Sequence, residues 1–273
     1  MSQTVLARKW RPKFFPEIIG QDHVSKALSN ALNSGRLHHA YLFSGTRGVG
    51  KTTIARILSK CLNCERGVSA TPCGQCLSCQ EIANDRFVDL IEVDAASRTG
   101  VDDMRDLLNN VQYLPARGRF KVYLIDEVHM LSKSSFAALL KTLEEPPEHV
   151  KFLFATTDHK KVPITILSRC LHFSLRAISA QKIAHHLKNV LENENVGFCE
   201  ESILSISKAA DGSVRDALSL TDQAIGIGGG SIDKSGVDAM LGSVEKYHLN
   251  DICEHIASND ATALLKSIDQ MAQ

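Results

Sequence analysis

Several features are missing from this chain of 273 residues, and each absence narrows what it can be. No window approaches the ~18 consecutive apolar residues needed to span a bilayer, which excludes a membrane-crossing helix. The first residues, from Met1 to Trp10, lack the apolar core of a secretion signal. Without export, the eight cysteines are not expected to form a disulfide framework. The expected compartment is the cytoplasm. An excess of one charge is missing too: Lys+Arg and Asp+Glu stand at 31 each. The chain as a whole therefore exerts no bulk electrostatic pull on nucleic acid, and any such contact must come from local patches or partner chains. Internal repeats and low-complexity tracts are also absent.

What remains is an ordinary globular composition, 44% hydrophobic and 23% charged. At this length two domains are expected. The first half alternates apolar strands with amphipathic helices. A helix is predicted over 21–33, strands over 40–43, 88–93, 120–125, 150–155 and 171–175, and further helices over 101–111 and 132–143. This βαβα order with nearly continuous apolar strands implies a parallel sheet covered on both faces. From about Ser179 only helical periodicity remains, broken by Gly226-Ile227-Gly228-Gly229-Gly230 before a helix near 234–241. Two more helical segments, 246–257 and 261–271, finish the chain and read as the start of a third domain.

The segment Gly45-Thr46-Arg47-Gly48-Val49-Gly50-Lys51-Thr52 is a full G-x-x-x-x-G-K-T phosphate-binding loop, set between the strand Ala40–Phe43 and a helix that begins Thr53-Ile54-Ala55. Its glycines let successive backbone N–H groups curl round phosphate oxygens, and the helix N-terminus adds partial positive charge. Lys51 is placed to reach the β- and γ-phosphates, and the Thr52 hydroxyl to ligate Mg²⁺. Nucleoside triphosphate binding follows. The strand 120–125 ends in Asp126-Glu127. Ligand sites of parallel sheets lie at the carboxyl ends of strands, so both acids are expected to face the loop. Asp126 would hold Mg²⁺ and Glu127 would polarise the attacking water, which makes hydrolysis the expected reaction. At the end of the next strand, Thr157 is the candidate for a hydrogen bond to the γ-phosphate or the water; capping of the following turn is the alternative. Two arginines, Arg169 in Ser168-Arg169-Cys170 and Arg215 in Gly212-Ser213-Val214-Arg215-Asp216, could stabilise phosphoryl-transfer charge in cis or in trans.

With Arg8-Lys9-Trp10-Arg11-Pro12, these motifs span nearly the whole chain, and together they resemble the AAA+ clamp-loader ATPases, in particular the tau/gamma branch of bacterial DNA polymerase III. The resemblance implies an AAA+ P-loop NTPase α/β fold with a parallel sheet and an inserted zinc module, followed by an all-α lid domain and the start of a helical collar. The boundaries it implies are 1–178 for the nucleotide-binding domain, with the zinc module at about 61–81, then 179–243 for the lid and 244–273 for a truncated collar. It makes Thr157 the first sensor, Arg215 the lid sensor and Arg169 an arginine finger acting on a neighbouring subunit. It also brings Ala7, Arg11 and Ile19 to the adenine and ribose, and Thr53 and Val214 to the nucleotide. The implied function is ATP-driven loading of a sliding clamp onto primed-template DNA in the bacterial cytoplasm, within a ring of clamp-loader subunits. A branch-migration helicase subunit and a catalytically silent clamp-loader arm are the alternatives.

Cys64, Cys73, Cys76 and Cys79 place four thiols within 16 residues, with Pro72 and Gly74 to turn the chain. Four cysteines suit a closed, tetrahedral, structural Zn²⁺ site that stabilises an excursion with few apolar residues. An iron–sulfur cluster takes the same ligands, although nothing else in the chain points to redox chemistry. The resemblance gives the same four residues as zinc ligands. Cys61, one helical turn before Cys64, is expected to pack against the core. Cys170, Cys199 and Cys253 are expected to be buried thiols. His38-His39 and His185-His186 have no companion ligands and are expected at the surface. Arg98, Thr99 and Arg105, at the start of a predicted helix, are candidates for a DNA phosphate, with an N-cap and a solvated arginine as the alternative. Lys141 is a further candidate.

Overall fold

The computed structural model describes residues 5–97, 107–242, 254–258 and 260–272. After a short helix α1 (Leu6–Lys9) come α2 (Asp22–Asn33), β1 (Ala40–Ser44), α3 (Lys51–Asn63), α4 (Leu77–Ala83), β2 (Leu90–Asp94), β3 (Lys121–Asp126), α5 (Lys133–Glu144), β4 (Val150–Thr156), α6 (Ile164–Leu167) and β5 (Leu171–Ser174). Then follow α7 (Ala180–Asn193), β6 (Gly197–Phe198), α8 (Glu200–Ala209), α9 (Val214–Ile227), β7 (Ser231–Ile232), α10 (Lys234–Leu241) and α11 (Ala261–Ala272).

The five long strands form one parallel sheet in the order β2-β3-β4-β1-β5. Their apolar runs are continuous because both faces are covered, and the pleat sorts them by parity. Tyr41, Phe43, Val122, Leu124 and Leu153 pack on one face with Leu28 of α2 and Ile54, Ile57 and Leu58 of α3. Leu42, Tyr123, Ile125, Phe152 and Phe154 pack on the other with Phe136, Leu139 and Leu143 of α5. The order puts β4 between β1 and β3, so the carboxyl ends of all three strands meet at one edge. Ser44 stands level with Thr156 and Asp94 with Asp126.

Asp89, just before β2, is buried, and its carboxylate accepts hydrogen bonds from the backbone N–H groups of Ala116, Arg117 and Gly118, each at 2.7 Å. It thereby ties the approach to β3 onto the edge strand. Replacing Asp89 with Ala would strand three donors, and we expect chemical denaturation to show a loss of about 3 kcal/mol; an unchanged midpoint would contradict that role.

Beyond β5 the helices build a separate apolar cluster from Ile183, Leu187, Val190, Leu191, Ile203, Ile206, Ala217 and Leu218. Helix α1 joins it through Leu6. The Leu6 N–H donates to Asp222 at 2.8 Å, and Trp10 Nε1 donates to Glu194 at 2.7 Å, so the N-terminal segment is strapped to these helices. The expectation of purely helical structure after Ser179 needs correction. Gly197–Phe198 and Ser231–Ile232 form a two-residue parallel pair that bridges the ends of α7 and α9. The glycine-rich break also begins later than expected, because α9 runs through Gly226 and Ile227.

Candidate functional site

The phosphate-binding loop leaves β1 and turns into α3. Gly50, at the N-cap of α3, has φ +103°, and Gly48 has φ +73°, both in the left-handed region that favours glycine. No acidic residue occupies the first turn of α3, so its positive end is free for an anion. The Lys51 ammonium folds back to donate to the carbonyls of Gly45 (2.9 Å) and Thr46 (2.8 Å). Burial lowers its pKa from the ordinary value, against the opposing pull of Glu127 and Asp126.

Seventy-four residues further along, Asp126 accepts a hydrogen bond from the Thr52 hydroxyl at 2.7 Å. The strand order brings this pair together, and it offers a hydroxyl and a carboxylate oxygen to a divalent cation. Glu127 follows with φ +46°, a left-handed conformation in a non-glycine residue at a turn that aims the side chain along the sheet edge. Its Oε2 accepts from the Thr157 N–H at 3.0 Å and from the Thr157 hydroxyl at 2.8 Å, with His129 Nδ1 at 3.3 Å. In this state the carboxylate is held by Thr157.

A cavity of about 550 Å³ opens above this edge. One wall consists of Arg47, Gly48, Val49, Gly50, Lys51, Thr52, Thr53, Asp126 and Glu127; the opposite wall consists of Ala7, Trp10, Arg11 and Ile19 from the N-terminal segment with Val214, Arg215 and Leu218 from α9. Of the residues expected at the nucleotide, Gly45, Thr46 and Thr157 do not line this cavity; Gly45 and Thr46 accept from Lys51, and Thr157 donates to Glu127. Burial, with Arg56 nearby, lowers the pKa of Arg11 from its ordinary value. Desolvated cations with few fixed acidic partners make a cavity suited to a polyanion.

Five lining residues were not expected at the site from the sequence: Asp85, Ile178, His186, Leu218 and Ser219. Asp85 reaches the wall through its ion pair with Arg56 of α3. His186, expected at the surface, instead faces the cavity; His185 beside it is exposed. His38 and His39 are likewise half-buried, stacked on one another at 4.3 Å.

Arg169 lies outside this cavity. It donates to Glu144 and to the Thr165 carbonyl, both at 2.8 Å, and is a third exposed. Arg98, Thr99 and Arg105 lie outside the described residues.

At the far end of α3, the Sγ atoms of Cys64, Cys73, Cys76 and Cys79 all lie within 4.8 Å of one another. Backbone N–H groups point at three of them: Cys73 N at Cys64 Sγ (3.4 Å), Cys76 N at Cys73 Sγ (3.2 Å) and Cys79 N at Cys76 Sγ (3.5 Å). Donors aimed at sulfur favour thiolate, and those around Cys73 hold its pKa down at about 6. The donor set fits a thiophilic metal. Cys61 is buried beside the group, its thiol pushed up to about 12 by desolvation, which is a packing environment. Cys170 and Cys199, expected to be buried, are only half-buried, and Cys253 lies outside the described residues.

Residues 20–179 match the family model described as DNA polymerase III, delta subunit, and residues 182–230 match that described as DNA polymerase III clamp loader subunit, ATPase lid domain. The chain is 59% identical over 272 residues to DNA polymerase III subunit tau of Salmonella typhimurium, an alignment covering 100% of this chain and 42% of that protein. It therefore spans less than half the length of that relative. It is 49% identical over 273 residues to DNA polymerase III subunit gamma of Buchnera aphidicola subsp. Schizaphis graminum, covering 100% of this chain and 75% of the relative. Among solved structures, the Thermotoga maritima RuvB Holliday junction branch migration motor is similar in fold, with a TM-score of 0.64 at 22% identity over 90% of this chain and 79% of that one.

Proposed function

The chain belongs to the clamp-loader ATPase family of DNA polymerase III tau and gamma subunits, and from that premise we propose that it is an ATP-hydrolysing motor subunit that loads a sliding clamp onto primed-template DNA. The observation that carries this reading is the cavity in which Lys51, Asp126 and Glu127 meet Arg215 of the lid helices. A silent clamp-loader arm has no need of all four.

Lys51 trades two neutral carbonyls for the β- and γ-phosphates, where charge-assisted bonds are stronger. Thr52 and Asp126 would hold Mg²⁺, which supplies charge neutralisation across the phosphates. Thr157 turns its hydroxyl toward the γ-phosphate, and Glu127, released from it, orients the attacking water and takes its proton. Arg215 reads the nucleotide from the lid, while Ala7, Arg11 and Ile19 border its sugar and base. Arg169, already turned away from its own cavity, serves the site of the next subunit. Breaking its bond to Glu144 costs little at a partly exposed position.

We assign 1–178 to the nucleotide-binding domain, 179–243 to the lid and 244–273 to the beginning of a collar. Arg98, Thr99 and Arg105 are proposed phosphate contacts, one weak patch per subunit in a ring that tracks the duplex. A cytoplasmic location fits a chain in which no described helix is long and apolar enough to cross a membrane. Cys64, Cys73, Cys76 and Cys79 would hold a structural zinc that cross-links the segment after α3. Metal analysis of the purified chain should find about one zinc per chain. Cys76→Ser should lower both the zinc content and Tm, and an unchanged Tm would show that the group is not structural.

Steady-state ATPase of the full subunit within its ring tests the function. Turnover should rise only when sliding clamp and primed DNA are both present. Stimulation by branched DNA without a clamp would instead favour branch migration.

A further inference from the structure

Beside its charged residues, Arg8 and Arg11 among them, the cavity has an apolar lining of Val5, Ala7, Trp10, Ile18, Ile19 and Leu218, a polarity suited to the flat ring of a nucleobase. Two polar side chains of the lid interrupt that surface. Ser219 already donates its hydroxyl to the carbonyl of Arg215 at 3.0 Å. His186 has no hydrogen-bond partner among the described residues, although it is half-buried and belongs to the cavity wall. It sits on α7 one turn after Ile183 and four residues before Val190, at the margin of the stripe that fills the lid core. Its ring nitrogens are therefore available to a molecule seated in the cavity.

We propose that His186 is a specificity-determining residue that hydrogen-bonds the edge of an adenine base, so that the lid itself senses which nucleotide is bound. This rests on the nucleotide-binding reading of the cavity. Burial, with His185 close by, lowers the pKa of His186 from its ordinary value and favours the neutral ring. A neutral imidazole keeps one acceptor nitrogen as well as one donor. The acceptor suits the exocyclic amine of adenine, whereas the carbonyl that guanine carries at the same ring position could be met only by the other tautomer, with the N–H toward the base. Because Glu194, the C-cap of α7, takes hydrogen bonds from Lys9 and Trp10, a base seated against His186 would draw together the lid and the N-terminal strap. His186 acts through the base and takes no part in the chemistry at the γ-phosphate.

The test compares binding of MgATP, MgGTP and inorganic tripolyphosphate to the full subunit by calorimetry, in the wild type and in His186→Ala and His186→Gln. The wild type should prefer ATP to GTP. His186→Ala should weaken ATP about 5- to 10-fold while leaving tripolyphosphate unchanged, which narrows the ATP/GTP ratio. His186→Gln, whose amide oxygen can also accept, should recover part of the ratio. An ATP/GTP ratio unaltered in His186→Ala, or an equal loss for tripolyphosphate, would overturn the assignment while leaving the nucleotide site standing. Failure of the wild type to bind either ATP or tripolyphosphate would overturn the nucleotide site itself and the assignment with it.

Discussion

Glu127→Gln is expected to slow ATP turnover by about 10²-fold or more while leaving MgATP affinity within a factor of a few of wild type. The amide keeps the size and one oxygen of the carboxylate but cannot accept the proton of water. Binding should survive because the loop, Lys51 and the Thr52–Asp126 pair do not depend on the Glu127 side chain for their placement; its hydrogen bonds and ion pair run to Thr157 and His129, and the Glu127 N–H that donates to Asp126 is backbone. The amide can still accept from the Thr157 N–H, so the strand edge should stay in place. Single-turnover hydrolysis together with equilibrium binding separates the two effects. Full turnover in the variant would remove Glu127 from the role of base. A parallel loss of affinity would show that its part is structural.

Gly48→Ala should be nearly as damaging, for a different reason. A Cβ at Gly48 would collide with the Ser213 hydroxyl, lie 2.9 Å from Ser213 Cβ and come within 3.3 Å of Arg215 Cβ. Ser213 is not free to yield, because its hydroxyl caps α9 by accepting from the Asp216 N–H at 3.2 Å. The left-handed φ of Gly48 adds about 1 kcal/mol of strain for any other residue. The lid would be pushed off the loop together with Arg215, and nucleotide affinity should fall at least tenfold, about 1.4 kcal/mol or more. Gly48 itself belongs to neither sheet cluster, but Val49 beside it belongs to one, so a modest fall in Tm should accompany the loss of affinity. Combining Gly48→Ala with Ser213→Gly should restore much of the affinity at small cost to the cap, since glycine is tolerated there. Unchanged affinity in the single variant would mean that the lid does not need to meet the loop.

The parts of this site visible in the sequence were those written in consecutive residues. The strand before Gly45, the loop and α3 are contiguous, and their chemistry follows from spacing alone. The four cysteines were legible for the same reason, within 16 residues. Asp126 and Glu127 lie beside the loop because carboxyl ends of parallel strands share one edge, although 74 residues separate Thr52 from Asp126. The Glu127–Thr157 hydrogen bond needed the adjacency of β3 and β4, which no local pattern encodes. Asp85 enters the wall through Arg56, and His186 through the docking of the lid helices against the N-terminal strap; both depend on packing between distant segments. The β6–β7 pair was invisible because two residues are too short for an alternating pattern. Helix α9 outlasted the glycines expected to end it. Gly226 stays helical, and the Gly228 N–H still closes the last turn on Ala224 at 2.9 Å, an arrangement that intrinsic propensity disfavours but packing permits.

The proposed reach of Arg169 into a neighbouring site would make hydrolysis depend on two chains. Clamp loaders assembled from a 1:1 mixture of Arg169→Ala and Glu127→Gln chains provide the direct measurement. Each variant alone should be nearly inactive. In the mixture, an Arg169→Ala chain keeps its own Glu127 and can receive an intact Arg169 from an adjacent Glu127→Gln chain. Turnover should therefore recover to about a quarter of wild type for random neighbours. A mixture no more active than the two variants measured separately would contradict a shared site and return Arg169 to its own chain.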